Sequence, residues 1–230
     1  MNGCAGFDWK SGYGLYCIQF QVFSLCVKEM ERIIKDNVVE HLNEYNVIKG
    51  SQHGFTRGRS CLTNLLEFFE EVYEMMDEGK PVDVIYLDFA KAFDKVPHKR
   101  LAKKLQACGI RGQALTWIQS WLSGRRQKVG IGDKHSSWRT VLSGVPQGSV
   151  LGPLLFVLFI NDIDDGILSK ISKFADDTKL CRAEEADILR EDLRRMFRWS
   201  QDWQMLYNLE RCSVMHMGKG NQELSYVMGG

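Results

Sequence analysis

Apolar residues recur at helical spacing in several stretches of the chain. From 24 to 46 they stand three or four positions apart, which predicts a helix that ends before Gly50. Ser60 can cap a second helix over 62–78, in which an apolar stripe lies opposite a row of acids. The residues of that stripe are Leu65, Leu66, Phe69, Val72, Tyr73 and Met76.

The same periodicity and the turn residues divide the rest of the chain. Further helices are predicted over 99–107, 112–122, 154–162 and 186–204. Strands are predicted over 82–88, 127–131, 138–142, 171–175, 178–181 and 213–217. The run over 82–88 is apolar on both faces and therefore central, whereas 127–131 and 138–142 are expected to pair. We expect helices packed on one face of a small antiparallel sheet, which is an α+β domain.

Composition and charge add one feature to this outline. The 230 residues are 44% hydrophobic and 26% charged with a net charge of +1, as in an ordinary soluble protein with a core. From Lys95 to Arg139, however, eleven Lys or Arg residues accompany a single acid, Asp133. This basic stretch is either a set of solvated helix faces or a surface for a phosphate backbone.

The cysteines and the apolar runs bear on the compartment. Seven cysteines are scattered without a Cys-x-x-Cys pair, which argues against a disulfide framework or a structural zinc. No apolar run is long enough to span a bilayer, and residues 1–23 lack the cationic start of a signal peptide. We therefore expect an intracellular protein, in the nucleus or the cytoplasm, and no membrane partner.

Three blocks carry candidate chemistry: 84–94, 143–153 and 173–177. Asp88 ends the central strand, and Asp176 and Asp177 occupy the turn of a predicted hairpin. An Asp-Asp pair by itself usually marks a turn. Together, however, three carboxylates that meet on one sheet could hold two divalent cations, which is an arrangement used for phosphoryl transfer.

These blocks, together with 52–60 and 199–218, resemble the reverse transcriptases of non-LTR (LINE-type) retrotransposons over about residues 24–220. The resemblance implies an RNA-directed DNA polymerase with a right-hand palm. It divides the chain into an unassigned leader (1–23), a fingers-like helical segment (24–80), a palm (81–218) with fingers elements near 124–143, and a tail (219–230).

The resemblance also implies a metal site. Asp88 and Asp176 would bridge two Mg²⁺ ions, with Mn²⁺ as an alternative, since both are hard cations that take oxygen ligands. Asp177 would be an adjacent ligand and Phe89 would contribute its backbone carbonyl. The implied partners are an RNA template, a DNA primer and deoxynucleoside triphosphates, while the oligomeric state stays open.

Further residues match the nucleotide site of the family. Phe93 stands at the position of the sugar gate, where a ring would exclude a ribose 2′ hydroxyl, although it could equally be a core residue. Gln147 would contact the incoming nucleotide, and Gly148 would let the backbone approach it. Arg57 and Arg59 could contact triphosphate or template, or they could be solvated loop charges.

The chain departs from the family pattern in three places. An Asn-Tyr-Arg-Pro element is replaced around 19–23, and Arg211 stands where a lysine is expected. The sequence ends at Gly230, so we expect the thumb to be absent and the grip on a duplex to be weak. A truncated, non-catalytic nucleic-acid-binding remnant is therefore the alternative to a polymerase. A nucleotide cyclase is disfavoured because it has no evident use for the gate or the Pro-Gln-Gly turn.

Overall fold

A computed structural model of the chain describes residues 25–131, 133–183 and 185–229. The leader predicted over 1–23 and the departure from the family pattern at 19–23 lie outside these residues. The helices are α1 (Leu25–Glu44), α2 (Cys61–Asp77), α3 (Ala92–Lys95), α4 (His98–Ala107), α5 (Gly112–Leu122), α6 (Gly152–Phe159) and α7 (Ala186–Trp203). The strands are β1 (Val82–Leu87), β2 (Arg126–Gln127), β3 (Gly130–Ile131), β4 (Lys134–His135), β5 (Arg139–Thr140), β6 (Lys170–Phe174), β7 (Asp177–Ala183) and β8 (Ser213–Met217).

Four strands form one antiparallel sheet in the order β6-β7-β1-β8. β1 is a central strand because it is apolar on both faces, and only Tyr86 within it is less than fully buried. Ile85 and Leu87 point into the main core, while Val82 and Val84 join a second cluster on the opposite face. The prediction of a central strand over 82–88 is confirmed.

The main core is built around α6, in which seven of the eight residues are buried. Helices α4, α5 and α7 supply the surrounding side chains, including Leu101, Ile118 and Met196, and none of these three has measurable exposure. A helix that is apolar all round has to be enclosed by other elements, so α6 holds the domain together. The predicted helices of this region are confirmed, with α6 beginning and ending two or three residues earlier than expected.

Two expectations about α2 are wrong. Helix α2 packs on the opposite face of the sheet from α6, so helices cover both faces rather than one. Its buried residues are Asn64, Phe68 and Val72, whereas Leu65, Leu66, Phe69 and Tyr73 of the predicted stripe are exposed. On the buried face, Phe68 and Val72 pack against β1, and Asn64 donates to the Ser172 hydroxyl of β6 over 2.6 Å.

The region between α5 and α6 is less regular than predicted. The expected pairing of 127–131 with 138–142 is present only in the short ladder of β2 with β5, whereas β3 pairs with β4, which lies before 138. Strand β4 was not expected, and neither was the single turn of α3. Among the described residues, no helix combines the length and the apolar character that a membrane span requires.

Candidate active site

Asp88 follows the last residue of β1 and lies where the central strand leaves the sheet. Its backbone carbonyl accepts the N–H of Asn208 over 2.8 Å, which fixes this end of the strand. The side chain is about one-fifth exposed, at 21%, and its Oδ2 lies 3.6 Å from Nη1 of Arg211. The carboxylate thus faces outward from a rigid support and has a cationic side chain beside it.

Asp176 and Asp177 lie at the tip of the hairpin that β6 and β7 form, as predicted. The register pairs Leu87 of β1 with Thr178 of β7, so the next position along brings Asp88 toward Asp177. Ala175 begins the turn in the left-handed conformation, at φ +54°, and its side chain is buried. Asp176 is half-buried and Asp177 is exposed. The sheet therefore brings the three predicted carboxylates to one end.

The charges of these three residues act on one another. Burial raises the pKa of Asp176, a hydrogen bond with its own backbone opposes the rise, and the charges of Asp177 and Asp88 add to it. Burial also raises the pKa of Asp177, with a further rise from Asp88 and an opposing effect from Lys179. Burial and the neighbouring negative charges thus both oppose ionisation of Asp176 and Asp177, although Lys179 acts in the opposite direction on Asp177.

The donor set suits a divalent cation of the Mg²⁺ type. Hard cations bind carboxylate and carbonyl oxygens, and uncompensated anionic oxygens are what such an ion would neutralise. Within the described ranges, however, no three His, Cys, Asp or Glu side chains converge as a complete metal centre. The chemistry of the residues fits metal binding, while a closed three-ligand cage is absent from this part of the chain.

Phe93 lies on α3, five residues beyond Asp88, and α3 begins after Lys91 in the left-handed conformation. Its ring stacks on Phe156 of α6 with centroids 4.4 Å apart, and Phe55 meets it edge-on at 6.1 Å. The ring is half-buried and joins the edge of the main core. The Phe93 side chain therefore packs against the core and is also partly exposed.

The Pro-Gln-Gly loop is attached to the same segment by hydrogen bonds to the backbone carbonyls of that segment. The Val145 N–H donates to the Phe93 carbonyl over 2.8 Å, and the Ser143 hydroxyl donates to the Asp94 carbonyl over 2.8 Å. Gly144 is at φ +86°, and a Cβ atom there would lie 2.6 Å from the Asp94 carbonyl oxygen, so only glycine fits. Phe93 and the loop form one unit.

Gln147 and Gly148 lie at the exposed tip of that loop. The Gln147 amide donates weakly to the Asp94 carboxylate, over 3.3 Å. Gly148 is at φ +81°, and a Cβ atom there would meet no other group within 4 Å. Both residues are thus accessible to a ligand that lies beside Phe93.

The two arginines of the 52–60 segment differ. Arg57 is exposed. Arg59 instead donates to the Gly50 carbonyl, and its Nη1 lies 3.0 Å from the His53 ring. Arg59 therefore links two parts of this loop, and Arg57 is the arginine that faces solvent.

Part of the basic stretch has a structural purpose that the sequence did not reveal. Lys104 is buried, pairs with Asp162 and lies 3.4 Å from the centroid of the Trp203 ring. Arg125 donates to the Gly144 carbonyl over 2.6 Å, beside His98 of α4. The remaining exposed cations are Lys95, Lys99, Lys103, Arg111, Arg126, Lys128, Lys134 and Arg139. We call these eight exposed residues the basic surface, whereas Lys104 and Arg125 support the core and the loop.

Sequence reasoning also missed a buried contact behind the carboxylates. Tyr207 stacks on Phe89 with ring centroids 4.6 Å apart, and the two residues form a β-bridge. This stack is part of the core that supports the segment after Asp88. A lone tyrosine between Leu206 and Asn208 gives no periodic signal, so only the fold reveals it.

Comparison with known proteins decides the family. A sequence model of the family described as "Reverse transcriptase (RNA-dependent DNA polymerase)" matches residues 18–227, which is most of the chain. The chain belongs to the reverse transcriptase family. The predicted resemblance to the enzymes of non-LTR elements is confirmed by relatives from the transposons X-element and jockey.

These curated relatives are much longer than the chain. The probable RNA-directed DNA polymerase from transposon X-element of Drosophila melanogaster is 29% identical over 191 residues, covering 79% of the chain and 21% of that protein. The RNA-directed DNA polymerase from mobile element jockey of Drosophila funebris is 28% identical over 199 residues, covering 81% of the chain and 22% of that protein. The chain therefore spans about a fifth of their length.

Solved structures share the fold at low sequence identity. Apo telomerase from Candida tropicalis, truncated from its C-terminal domain, matches with a TM-score of 0.63 and 10% identity over 90% of this chain and 47% of that one. Telomerase of the same species in complex with the TWJ fragment of telomeric RNA matches with a TM-score of 0.63 and 11% identity, over 84% and 35%. The predicted α+β polymerase fold of the reverse transcriptase type is confirmed.

Proposed function

We propose that this chain is the core of an RNA-directed DNA polymerase that adds deoxynucleotides to a primer 3′ hydroxyl on an RNA template. The observation that carries the proposal is that the register of β1 and β7 brings three carboxylates, Asp88, Asp176 and Asp177, to one end of the sheet. Burial and neighbouring charge disfavour the ionised forms of Asp176 and Asp177, so a role toward a ligand accounts for this cluster of acids better than a contribution to folding does. Family membership supports the same assignment.

Two Mg²⁺ ions would activate the attacking hydroxyl and neutralise the triphosphate leaving group, with Mn²⁺ as an alternative ion. Asp88 and Asp176 are the bridging ligands in this proposal, Asp177 is the adjacent ligand, and the Phe89 carbonyl completes one site. Support comes from rigidity: Asp88 is anchored by the Asn208 hydrogen bond, and the Phe89 ring by its stack on Tyr207. Arg211, beside Asp88, balances part of the charge when no ion is bound.

The nucleotide would lie between the segment after Asp88 and the Pro-Gln-Gly loop. Phe93 would press against the sugar and exclude a 2′ hydroxyl, because its ring is held from behind by Phe156. Gln147 and Gly148, both exposed at the loop tip, would contact the nucleotide, and Arg57 would contact the triphosphate. The proposed domain roles follow: 24–80 acts as fingers and 81–218 as palm, with fingers elements near 124–143.

The test is primer extension by the purified chain. A labelled DNA primer on an RNA template is incubated with deoxynucleotides and Mg²⁺ at low salt, because phosphate contacts weaken steeply as salt increases. We expect incorporation by the wild-type chain and a loss of at least about 10³-fold in Asp88→Asn and Asp176→Asn, since metal ions supply several kcal/mol to such reactions. The exposed Asp187→Asn is the matched control.

The basic surface favours one second candidate, a non-catalytic nucleic-acid-binding role. Its eight exposed cations can bind phosphates whether or not the carboxylates hold metal. Salt-dependent binding of the primer-template by a wild-type chain that incorporates nothing would favour this candidate over the polymerase. Incorporation that Asp176→Asn leaves intact would overturn the metal-site assignment itself.

A further inference from the structure

A short loop before α2 is attached to the sheet beside the Asp176 turn. Gln52 forms a parallel β-bridge with Lys173 of β6. The Lys173 N–H donates to the Ser51 carbonyl over 2.7 Å, and the His53 N–H donates to the Lys173 carbonyl over 2.8 Å. Because β6 is the edge strand of the sheet, this loop acts as a short additional strand there. The segment that resembles a fingers motif thus contacts the palm two residues before Ala175.

The side chain of Gln52 reaches the turn itself. It is buried, with 1% of its surface exposed, and its Oε1 accepts the Ala175 N–H over 2.9 Å and the Gly54 N–H over 2.7 Å. Its Nε2 has no hydrogen-bond partner among the described residues. Only the oxygen of this amide is therefore hydrogen-bonded, and one of its donors is the backbone N–H of the residue just before Asp176.

The contact holds an unfavourable conformation. Ala175 is left-handed at φ +54°, which is disfavoured for any residue that has a Cβ atom. Gly54 packs so closely on this residue that a Cβ atom at position 54 would collide with the Ala175 backbone. The Gln52 oxygen and the Gly54 backbone thus hold Ala175 from one side, and the direction in which Ala175 leaves the sheet determines where Asp176 points.

We infer that Gln52 is a positioning residue that fixes Ala175 so that Asp176 is presented toward Asp88 for metal binding. The inference rests on the proposed function, because it assigns Gln52 a purpose only where these carboxylates hold divalent ions. It predicts that loss of the acceptor oxygen weakens ion binding, while loss of a comparable hydrogen bond elsewhere in the loop does not.

Ser51 provides that comparison. Ser51 lies in the same loop as Gln52, and its hydroxyl donates to Asp164 over 2.6 Å rather than to the Asp176 turn. Gln52→Met removes the acceptor at similar volume, Gln52→Glu keeps an acceptor oxygen, and Ser51→Ala removes the neighbouring bond. Gln52→Asn shortens the side chain by one methylene and serves as the test variant if Gln52→Met does not fold.

The first readout is hydrogen exchange of the Ala175 amide, followed by NMR on the metal-free chain. We expect exchange in Gln52→Met to be at least about tenfold faster than in the wild type, the equivalent of one lost hydrogen bond. In Gln52→Glu and Ser51→Ala the exchange rate should stay within about threefold of the wild type, which is less than the loss of one hydrogen bond would cause. Equal exchange in Gln52→Met and Ser51→Ala would show that the contact does not fix the turn.

The second readout is Mn²⁺ affinity, measured by calorimetry and electron paramagnetic resonance. We expect Gln52→Met to bind Mn²⁺ about tenfold more weakly and Gln52→Glu to restore most of the loss, in proportion to the lost hydrogen bond. Wild-type affinity in Gln52→Met would overturn the inference. So would Mn²⁺ binding that Asp176→Asn leaves unchanged. Normal Mn²⁺ responses without primer extension would instead overturn the proposed function alone.

Discussion

The central strand β1 has an acid at each end, and the two ends differ. Near its start, Asp83 accepts hydrogen bonds from Asn221 Nδ2 over 2.8 Å and from the Tyr226 hydroxyl, and His216 Nδ1 lies 2.7 Å away. Burial acts to raise the pKa of Asp83, yet these hydrogen bonds together hold it below its ordinary value. After its end, Asp88 faces Asp176 and Asp177, whose pKa values are raised by burial and by mutual repulsion.

The difference separates an acid that stabilises the fold from acids that cost stability. An acid whose pKa is depressed by folding favours the native state above its unfolded pKa, while an acid whose pKa is raised opposes the native state once it is ionised. The ionised Asp83 carboxylate is thus stabilised by hydrogen-bond partners that the protein itself supplies. At the Asp88 end the pKa values of Asp176 and Asp177 stay raised although Arg211 and Lys179 lie nearby, and a bound cation would favour the ionised acids, which is why we assign the function to that end.

Exchanging the acids for amides should produce opposite effects at the two ends, and this is the largest expected effect. Asp176→Asn should lose at least about 10³-fold in incorporation. It should also raise the thermal midpoint at neutral pH, since an ionised carboxyl with a raised pKa costs stability. Asp83→Asn should retain incorporation. Primer extension and thermal unfolding on the same samples test this, and a loss of activity in Asp83→Asn alone would reverse our assignment of the two ends.

Next in size is the stability that the Asp83 end contributes. Asp83→Asn should lower the free energy of unfolding by about 2–4 kcal/mol at neutral pH, because a charged acceptor of several hydrogen bonds is removed. The pKa of Asp83 is depressed, so its contribution is present above about pH 3.8 and should disappear as the pH falls through its folded pKa. Urea titrations at neutral and acidic pH measure the difference, and a loss independent of pH would contradict this account.

A smaller effect is expected on sugar selectivity at the Asp88 end. Phe93→Val should raise the use of ribonucleotides relative to deoxynucleotides by about tenfold to a hundredfold, a range typical of a changed steric pocket. The measurement is the ratio of incorporation rates for the two nucleotides. Phe156→Leu, which alters the packing behind the ring, is the comparison variant. An unchanged ratio in Phe93→Val would make Phe93 an ordinary core residue.

The smallest expected effect comes from a single donor at the other end. Tyr226→Phe removes one hydrogen bond to Asp83 and should cost about 1 kcal/mol of unfolding free energy. Tyr73→Phe, whose ring is exposed on α2, is the control and should change little. Identical urea midpoints for the two variants would mean that Tyr226 does not contribute to the stability of this end.

Much of the comparison could be foreseen from the sequence. The apolar pattern predicted β1 and the hairpin, and the positions of Asp88, Asp176 and Asp177 at the ends of those strands followed directly. The sequence pattern assigned no role to Asp83, near the start of the strand. Its role depends on Asn221 and Tyr226, which lie far away along the chain, so no local pattern could indicate it.

Long-range polar contacts explain the other misses as well. The buried face of α2 includes Asn64, which bonds Ser172 108 positions away, whereas hydrophobic spacing predicted a different buried face. Gln52 and Ala175 are 123 positions apart. Lys104 looked like one member of a basic surface until the fold placed Asp162 and Trp203 against it. Periodicity identifies elements, whereas contacts between distant positions show how those elements face one another.

The most direct test of the central claim is the thermal midpoint of the wild-type chain and two variants, each with and without Mg²⁺ or Mn²⁺. An ion that binds the native state stabilises it by mass action. We predict that either ion raises the midpoint of the wild-type chain and of Asp83→Asn, the latter from a lower starting value, and leaves Asp176→Asn unchanged. Equal shifts in the wild type and in Asp176→Asn would contradict the account, because the ions would then be binding somewhere other than the Asp88 end of β1.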